Sequence, residues 1–238
     1  MMIADHSGGI GNGSHTNLLI QSDVAAASTT FADTSKGGTD HSASIATEGS
    51  PTHSTAQKKF GRSSINLPLA ADCLTLAPHI DWDMATVGYW TVDFWVRIDN
   101  ASSGNRTLAL AGGDQGLYRY NCQWCAWASY DVLTTVVYSS ASHYHGTGTA
   151  PFLADVWNHV CFQQDTPGKK VRSYLNGVMQ TNTWTTIGDL GAQVTGMRIG
   201  SSEPGSSYSM TGYVDEFRVT KGARLFHWEG FTPPNRMS

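Results

Sequence analysis

Near its end the chain reads "GYVDEFRVTKGARLFHWEGFTPP" (Gly212–Pro234), which sets two carboxylates, Asp215 and Glu216, side by side in a run with strand character. Paired acids hydrolyse glycosides when two carboxyls about 5–5.5 Å apart flank the sugar bond. Neighbouring residues of a regular strand point to opposite faces. Asp215 then shares a face with Tyr213, Phe217 and Val219, and Glu216 with Val214, Arg218 and Thr220. On that alternation the two carboxylates diverge and form no catalytic couple. Asp215, among apolar neighbours, needs a cation, an arginine or several N–H donors. Glu216 and Arg218 read as a surface ion pair, which contributes little.

Other residues could also do chemistry. "SHYHG" carries His143 and His145 two residues apart, a spacing that suits a transition metal, but no third ligand is evident nearby. The Ser and Gly around them suggest an exposed contact loop. Cys122 and Cys125 form one C-x-x-C, and Cys73 and Cys161 stand alone. A zinc site needs a second matching pair, so these read as buried or spare thiols. Tyr118, Tyr120 and Trp124 share one parity in Gly116–Tyr130, and Trp127 faces the other way. Aromatic faces stack on sugars or bury at partner surfaces. The first three read better as core or subunit contact than as a sugar site. Trp95 and Tyr174 fall on the polar side of their strands and belong under loops or at a partner surface.

The elements that must position these residues are strands. The chain has 238 residues, 14% charged and 11% aromatic, with 25 glycines and a net charge of −4. That composition favours an all-β domain and argues against a nucleic-acid binder, which carries a basic patch. No apolar run approaches the ~18–20 residues of a membrane helix. The first residues lack the basic and apolar regions of a secretory signal. "YWTVDFWVRI" (Tyr89–Ile98) alternates strictly, with Trp90, Val92, Phe94, Val96 and Ile98 on one face. Asn176-Gly177 between two alternating runs predicts a type I′ hairpin. Residues 1–16, rich in Gly, Ser and His, read as an arm that orders on binding, and 17–238 as one domain. Nearly a dozen short strands and no amphipathic helix predict an all-β jelly-roll sandwich of two antiparallel sheets.

Several motifs recur here in a known order: "FADTSKGG", "STAQKKFGRSSI", "WTVDFWVRI", "VWNHVCF", "SYLNGV", "MRIGSS" and the closing "DEFRVTKG…FTPP". Over about Leu18–Pro234 the chain resembles laminin-G-like, concanavalin-A-like lectin domains, and more closely the version in tailed-phage structural proteins. Glycanases of this fold use an acid-x-acid arrangement, and the chain has no E-x-D-x-x-E run, so the expectation is a protein that is not an enzyme. The resemblance implies a structural Ca2+ held by Asp33 and Asp215, against the alternative that Asp215 pairs with an arginine or caps backbone N–H groups. It also implies a virion surface protein that decorates or cements the capsid. Its expected partners are the major capsid protein or other virion proteins, with assembly in host cytoplasm and a homo-oligomer, plausibly a trimer. The alternative is a tail-fibre or receptor-binding module for host glycans, using Tyr118, Tyr120, Trp124, Trp127, His143 or His145 as contacts. The chain carries no coiled-coil or repeat segment that would make a fibre stalk.

Overall fold

The computed structural model describes residues 13–84, 88–99, 105–112, 122–129, 132–139, 142–164, 171–180, 196–203 and 208–236. Among them are fifteen strands: β1 (Thr16–Ile20), β2 (Ile45–Glu48), β3 (Thr52–Ser54), β4 (Ser64–Leu67), β5 (Cys73–Leu76), β6 (Trp90–Ile98), β7 (Asn105–Gly112), β8 (Cys122–Ser129), β9 (Val132–Ser139), β10 (Ser142–Pro151), β11 (Asn158–Gln164), β12 (Val171–Leu175), β13 (Val178–Met179), β14 (Met197–Ile199) and β15 (Gly212–Lys221). Two short 3-10 turns, η1 (Ser42–Ser44) and η2 (Ile80–Trp82), are the helical elements described. None is long and apolar enough to cross a membrane.

The strands form two antiparallel sheets. Sheet A runs β13-β12-β11-β6-β15-β4-β3, with β1 also paired to β15, and sheet B runs β10-β9-β8-β7-β14-β5-β2. This is the expected all-β jelly-roll sandwich. The apolar parity of β6 faces the core as predicted: Trp90, Val92, Phe94, Val96 and Ile98 are all buried. They pack with Leu18 and Ile20 of β1, Val160 and Phe162 of β11, and Val214, Phe217 and Val219 of β15. Sheet B answers with Leu74, Leu76, Leu108, Trp124, Ala126, Met197 and Ile199. Asn176 and Gly177 both take positive φ (52° and 80°), the type I′ turn that joins β12 to β13.

Two expectations change. Thr16, the last residue assigned to the arm, already pairs with Thr220 in β1; residues 1–12 lie outside the described set. "SHYHG" is not a loop but the start of β10, with His143 opposite Tyr138 and His145 opposite Val136. Its low hydrophobicity hid a strand that lies at the edge of sheet B.

Sheet A is also covered on its second face. After β15 the chain turns back as a strap, 222–234, across the outer side of β6, β11, β12 and β13. The Phe226 backbone N–H donates to Gln163 Oε1 at 3.2 Å, and its carbonyl accepts from Gln163 Nε2 at 3.1 Å. Tyr174 Oη donates to the Trp228 carbonyl at 2.7 Å, and the Phe231 N–H donates to the Gly177 carbonyl at 3.0 Å. Phe226 and Phe231 stack with centroids 4.0 Å apart. Half-burial was expected of Trp95 and Tyr174, and both are almost fully buried, Tyr174 under the strap and Trp95 against Phe60 and Lys59.

Candidate functional site

The closing strand does not keep strict alternation. Asp215 pairs with Trp95 and Arg218 with Asp93, so two residues of β15 stand opposite the single Phe94 of β6. The extra residue is Glu216, held at φ 52°. This is a β-bulge, which re-aims side chains. It moves Asp215 off the apolar face: Val214 and Phe217 both enter the core, and Phe217 stacks on Phe94 at 5.2 Å. Left-handed backbone costs a residue with a Cβ about 1–2 kcal/mol. Hydrogen bonding offsets part of that, because the Glu216 N–H donates to Asp215 Oδ1 at 3.0 Å.

The bulge breaks the strict alternation on which the expected divergence of Asp215 and Glu216 rested. They are not surface groups either. Asp215 is 2% exposed and Glu216 1%. Asp215 Oδ2 accepts from the backbone N–H groups of Lys59 and Phe60 at 3.1 and 3.0 Å. Phe60 packs edge-on against Trp95, and Lys59 Nζ lies 3.9 Å above the Trp95 ring. Glu216 accepts from Gln21 Nε2 at 3.0 and 3.1 Å and faces Arg236 Nε at 3.7 Å. The expected Glu216–Arg218 surface pair is replaced by these contacts. Burial pushes the Asp215 carboxyl up to about 7, the three N–H donors pull it down, and the Glu216 charge adds to the rise.

Arg218 turns instead to Asp93. Its Nε and Nη2 donate to the two Asp93 oxygens at 2.9 and 2.8 Å, and both side chains are fully buried. His159 Nε2 lies 3.3 Å from Asp93 Oδ2. Burial alone would raise the Asp93 carboxyl; the Arg218 charge and the hydrogen bonds from His159 and Arg218 outweigh it and hold Asp93 low. Burial pushes the His159 imidazole down, so the neutral ring donates its Nε2–H to Asp93. Phe226 and Phe231 of the strap meet His159 edge-on, each at 5.8 Å. Sequence alternation placed Asp93 and Arg218 on a wet face, and nothing local showed the strap that dries it.

The other candidates are distributed over the fold. Asp33 Oδ1 accepts from the N–H groups of Leu19 and Ser35 at 3.0 and 2.8 Å, and Oδ2 from the His41 N–H at 3.1 Å. It stands beside Ile20 of β1, whereas Asp215 sits in β15 under the 59–60 turn. Each of these acids caps backbone N–H groups, one of the two outcomes left open for Asp215. Trp124 is fully buried and packs on Phe162 at 5.2 Å, as core. Trp127 lies on the other face of β8 with Cys125 and Leu110, 5% exposed. Tyr118 and Tyr120, and the side chains of His143 and His145, lie outside the described residues. Cys73, Cys125 and Cys161 are free and buried, as expected. One group was missed: His41, His79 and Asp81 converge, with their ligand atoms within 4.8 Å of one another. They stand 38 and 2 residues apart, and no motif spacing announces them.

Residues 74–225 match the family model of the "Concanavalin A-like lectin/glucanases superfamily". The match spans more than half of the chain, which therefore belongs to this superfamily. A comparison with curated protein sequences found no match. Among solved structures, the binding domain of Paraclostridial Mosquitocidal Protein 1 superposes with a TM-score of 0.66 at 12% identity, covering 88% of this chain and 49% of that one. The receptor binding domain of botulinum neurotoxin C/D mosaic serotype gives 0.60 at 14%, covering 87% and 48%. The binding domain of Botulinum Neurotoxin DC in complex with SialylT gives 0.59 at 12%, covering 87% and 47%. The chain spans about half the length of these structures, and at such identities the likeness is one of fold.

Proposed function

We propose that the chain is a non-enzymatic carbohydrate-binding module carried on the surface of a tailed-phage virion. The observation that carries the choice between lectin and glucanase is the state of the closing-strand acids. Asp215 and Glu216 are both buried and already hold hydrogen bonds. A retaining or inverting glycosidase needs its two carboxyls open to the sugar, with a proton donor on one side of the bond. Asp93 is likewise committed to Arg218. The fold is that of toxin binding domains, one of them solved in complex with SialylT, which supports recognition of glycans on a host surface.

The virion assignment rests on the motif order of the sequence. "KFG", "FWV", "W-x-H-V", "Y-x-N-G" and "DEFRVTKG…FTPP" meet at one place: Phe60 and Trp95 over Asp215, His159 and Gly177 under the strap. Capsid decoration, with the residues before β1 as the attachment arm and a homo-oligomer on the lattice, is the finer form of this reading. A structural Ca2+ held by Asp33 and Asp215 is a separable part of it, and a thermal shift on adding Ca2+ to EGTA-treated protein would support it.

The test is a glycan array with the untagged protein, followed by a reducing-end assay on each bound glycan. Binding without new reducing ends is expected. Turnover that disappears in Glu216→Gln would overturn the non-enzymatic reading, and a blank array the carbohydrate reading. Mass spectrometry and imaging of purified particles decide the virion part, which fails if the chain is absent from them.

A further inference from the structure

We propose that His41, His79 and Asp81 form a binding site for a divalent transition ion of the zinc class. His41 Nε2 lies 2.8 Å and His79 Nδ1 3.4 Å from Asp81 Oδ2. Around a tetrahedral ion with bonds of about 2.0–2.1 Å, neighbouring ligand atoms stand about 3.3 Å apart. The three atoms are therefore already close to a coordination face, and small rotations of two imidazoles complete it. The donor set decides the metal class. Two imidazole nitrogens and one carboxylate oxygen suit zinc and its neighbours. Calcium takes about 6–8 oxygens and has little use for nitrogen.

Each ligand sits on a braced segment. The His41 N–H is anchored on Asp33 Oδ2, and Ser44 closes the turn after it by donating to the His41 carbonyl at 2.8 Å. Asp81 lies in η2, whose Ile80 carbonyl accepts from Lys221 Nζ at 2.5 Å. The Trp82 ring packs against both imidazoles, at 4.8 Å from His41 and 5.3 Å from His79. Gly38 passes so close that a Cβ there would stand 3.1 Å from Asp81 Oδ2. The side chains of His41 and Asp81 are 3% and 14% exposed, and that of His79 is 35% exposed. One side of the group therefore opens to solvent, which leaves a position for water or a ligand from a partner, the arrangement of an open rather than a closed zinc site. In the metal-free chain His79 Nδ1 accepts from the Asp81 N–H at 3.2 Å, a bond that the ion replaces. Loading would tie the 33–44 loop to η2, two segments that otherwise meet through the His41–Asp81 contact and ring packing.

The test uses the untagged full chain after chelator treatment, because nine histidines and four cysteines give zinc other places to bind. Calorimetry with Zn2+ is expected to give one ion per chain, and Ca2+ is expected not to displace it. The zinc K-edge absorption spectrum is expected to show a nitrogen and oxygen shell without sulfur. His79→Gln, at the most exposed ligand, should weaken binding at least tenfold in protein that still shows a cooperative metal-free unfolding transition, and Asp81→Asn should weaken binding too. Affinity should fall as pH drops, since both imidazoles must be neutral to ligate. Absence of stoichiometric binding, sulfur in the shell, or unchanged affinity in both variants overturns the proposal.

Discussion

Replacing Asp93 by Asn probes the buried layer most directly. The change keeps the size of the side chain and removes its charge, leaving the Arg218 guanidinium without a counter-ion in a site where both partners are 0% exposed. At about 4 Å and an effective dielectric constant of about 20, the lost attraction is on the order of 4 kcal/mol. Removing one partner of a buried pair costs about 3–5 kcal/mol in general. Against a total stability of about 5–15 kcal/mol that is a large fraction. With an m-value of about 3 kcal/mol/M, the urea midpoint should fall by about 1–1.5 M. The double variant Asp93→Leu/Arg218→Met carries no uncompensated charge and should lie nearer to wild type than Asp93→Asn does. A single-variant loss below about 1 kcal/mol, or a double variant no better than the single one, would refute the claim that the strap keeps this face dry.

Three more perturbations test neighbouring parts of the argument. Asp215 has a folded-state value of about 7 against an ordinary 3.8, so the folded protein holds this proton more tightly. Its contribution is full below about pH 4, declines as pH rises and levels off above about pH 7. The stability of wild type relative to Asp215→Asn, from urea midpoints across that range, should therefore fall with rising pH; a rise would sink the assignment. In Gly177→Ala the new Cβ would stand 1.8 Å from the Phe231 carbonyl oxygen, at a φ of +80°. The strap must lift, so hydrogen exchange at residues 226–231 should accelerate, and unchanged protection there would count against the latch. Trp124→Ala removes a fully buried indole and should cost about 3–5 kcal/mol in thermal or urea unfolding. Loss of glycan binding in that variant should track unfolding, and a folded but non-binding Trp124→Ala protein would reopen the sugar-contact reading.

What the sequence shows of this fold depends on how local each signal is. The alternation of Trp90–Ile98 and the Asn176-Gly177 turn are written in consecutive residues, and both appear in the structure as expected. The bulge in β15 is not, because Glu216 occupies a left-handed position where glycine or asparagine would have advertised it. Once it is present, every parity inferred across it reverses. Asp93 looked solvated because its cover, Leu225 to Phe231, lies more than 120 residues beyond β6, and Arg218 because nothing local showed that the segment after β15 folds back. Asp33 stood out only through the resemblance, and the N–H groups that satisfy it come from Leu19, Ser35 and His41. The metal-type group was not visible at all, since only folding brings His41 beside Asp81.

The position of β15 has a bearing on how the protein is made. It lies between β6 and both β1 and β4, so sheet A lacks a central strand until residues 212–221 have emerged from the ribosome. Until then β6, which has β11 on one side, presents an apolar face and one unmatched edge, and the strand that fills it begins more than 100 residues further along the chain. Pairings of such separation form slowly and expose sticky intermediates. The strap follows at once and seals the second face, so residues 212–234 both complete the sheet and remove its hazard. Nascent chains arrested before Gly212 should therefore engage chaperones, and release should follow within a few residues of Phe231.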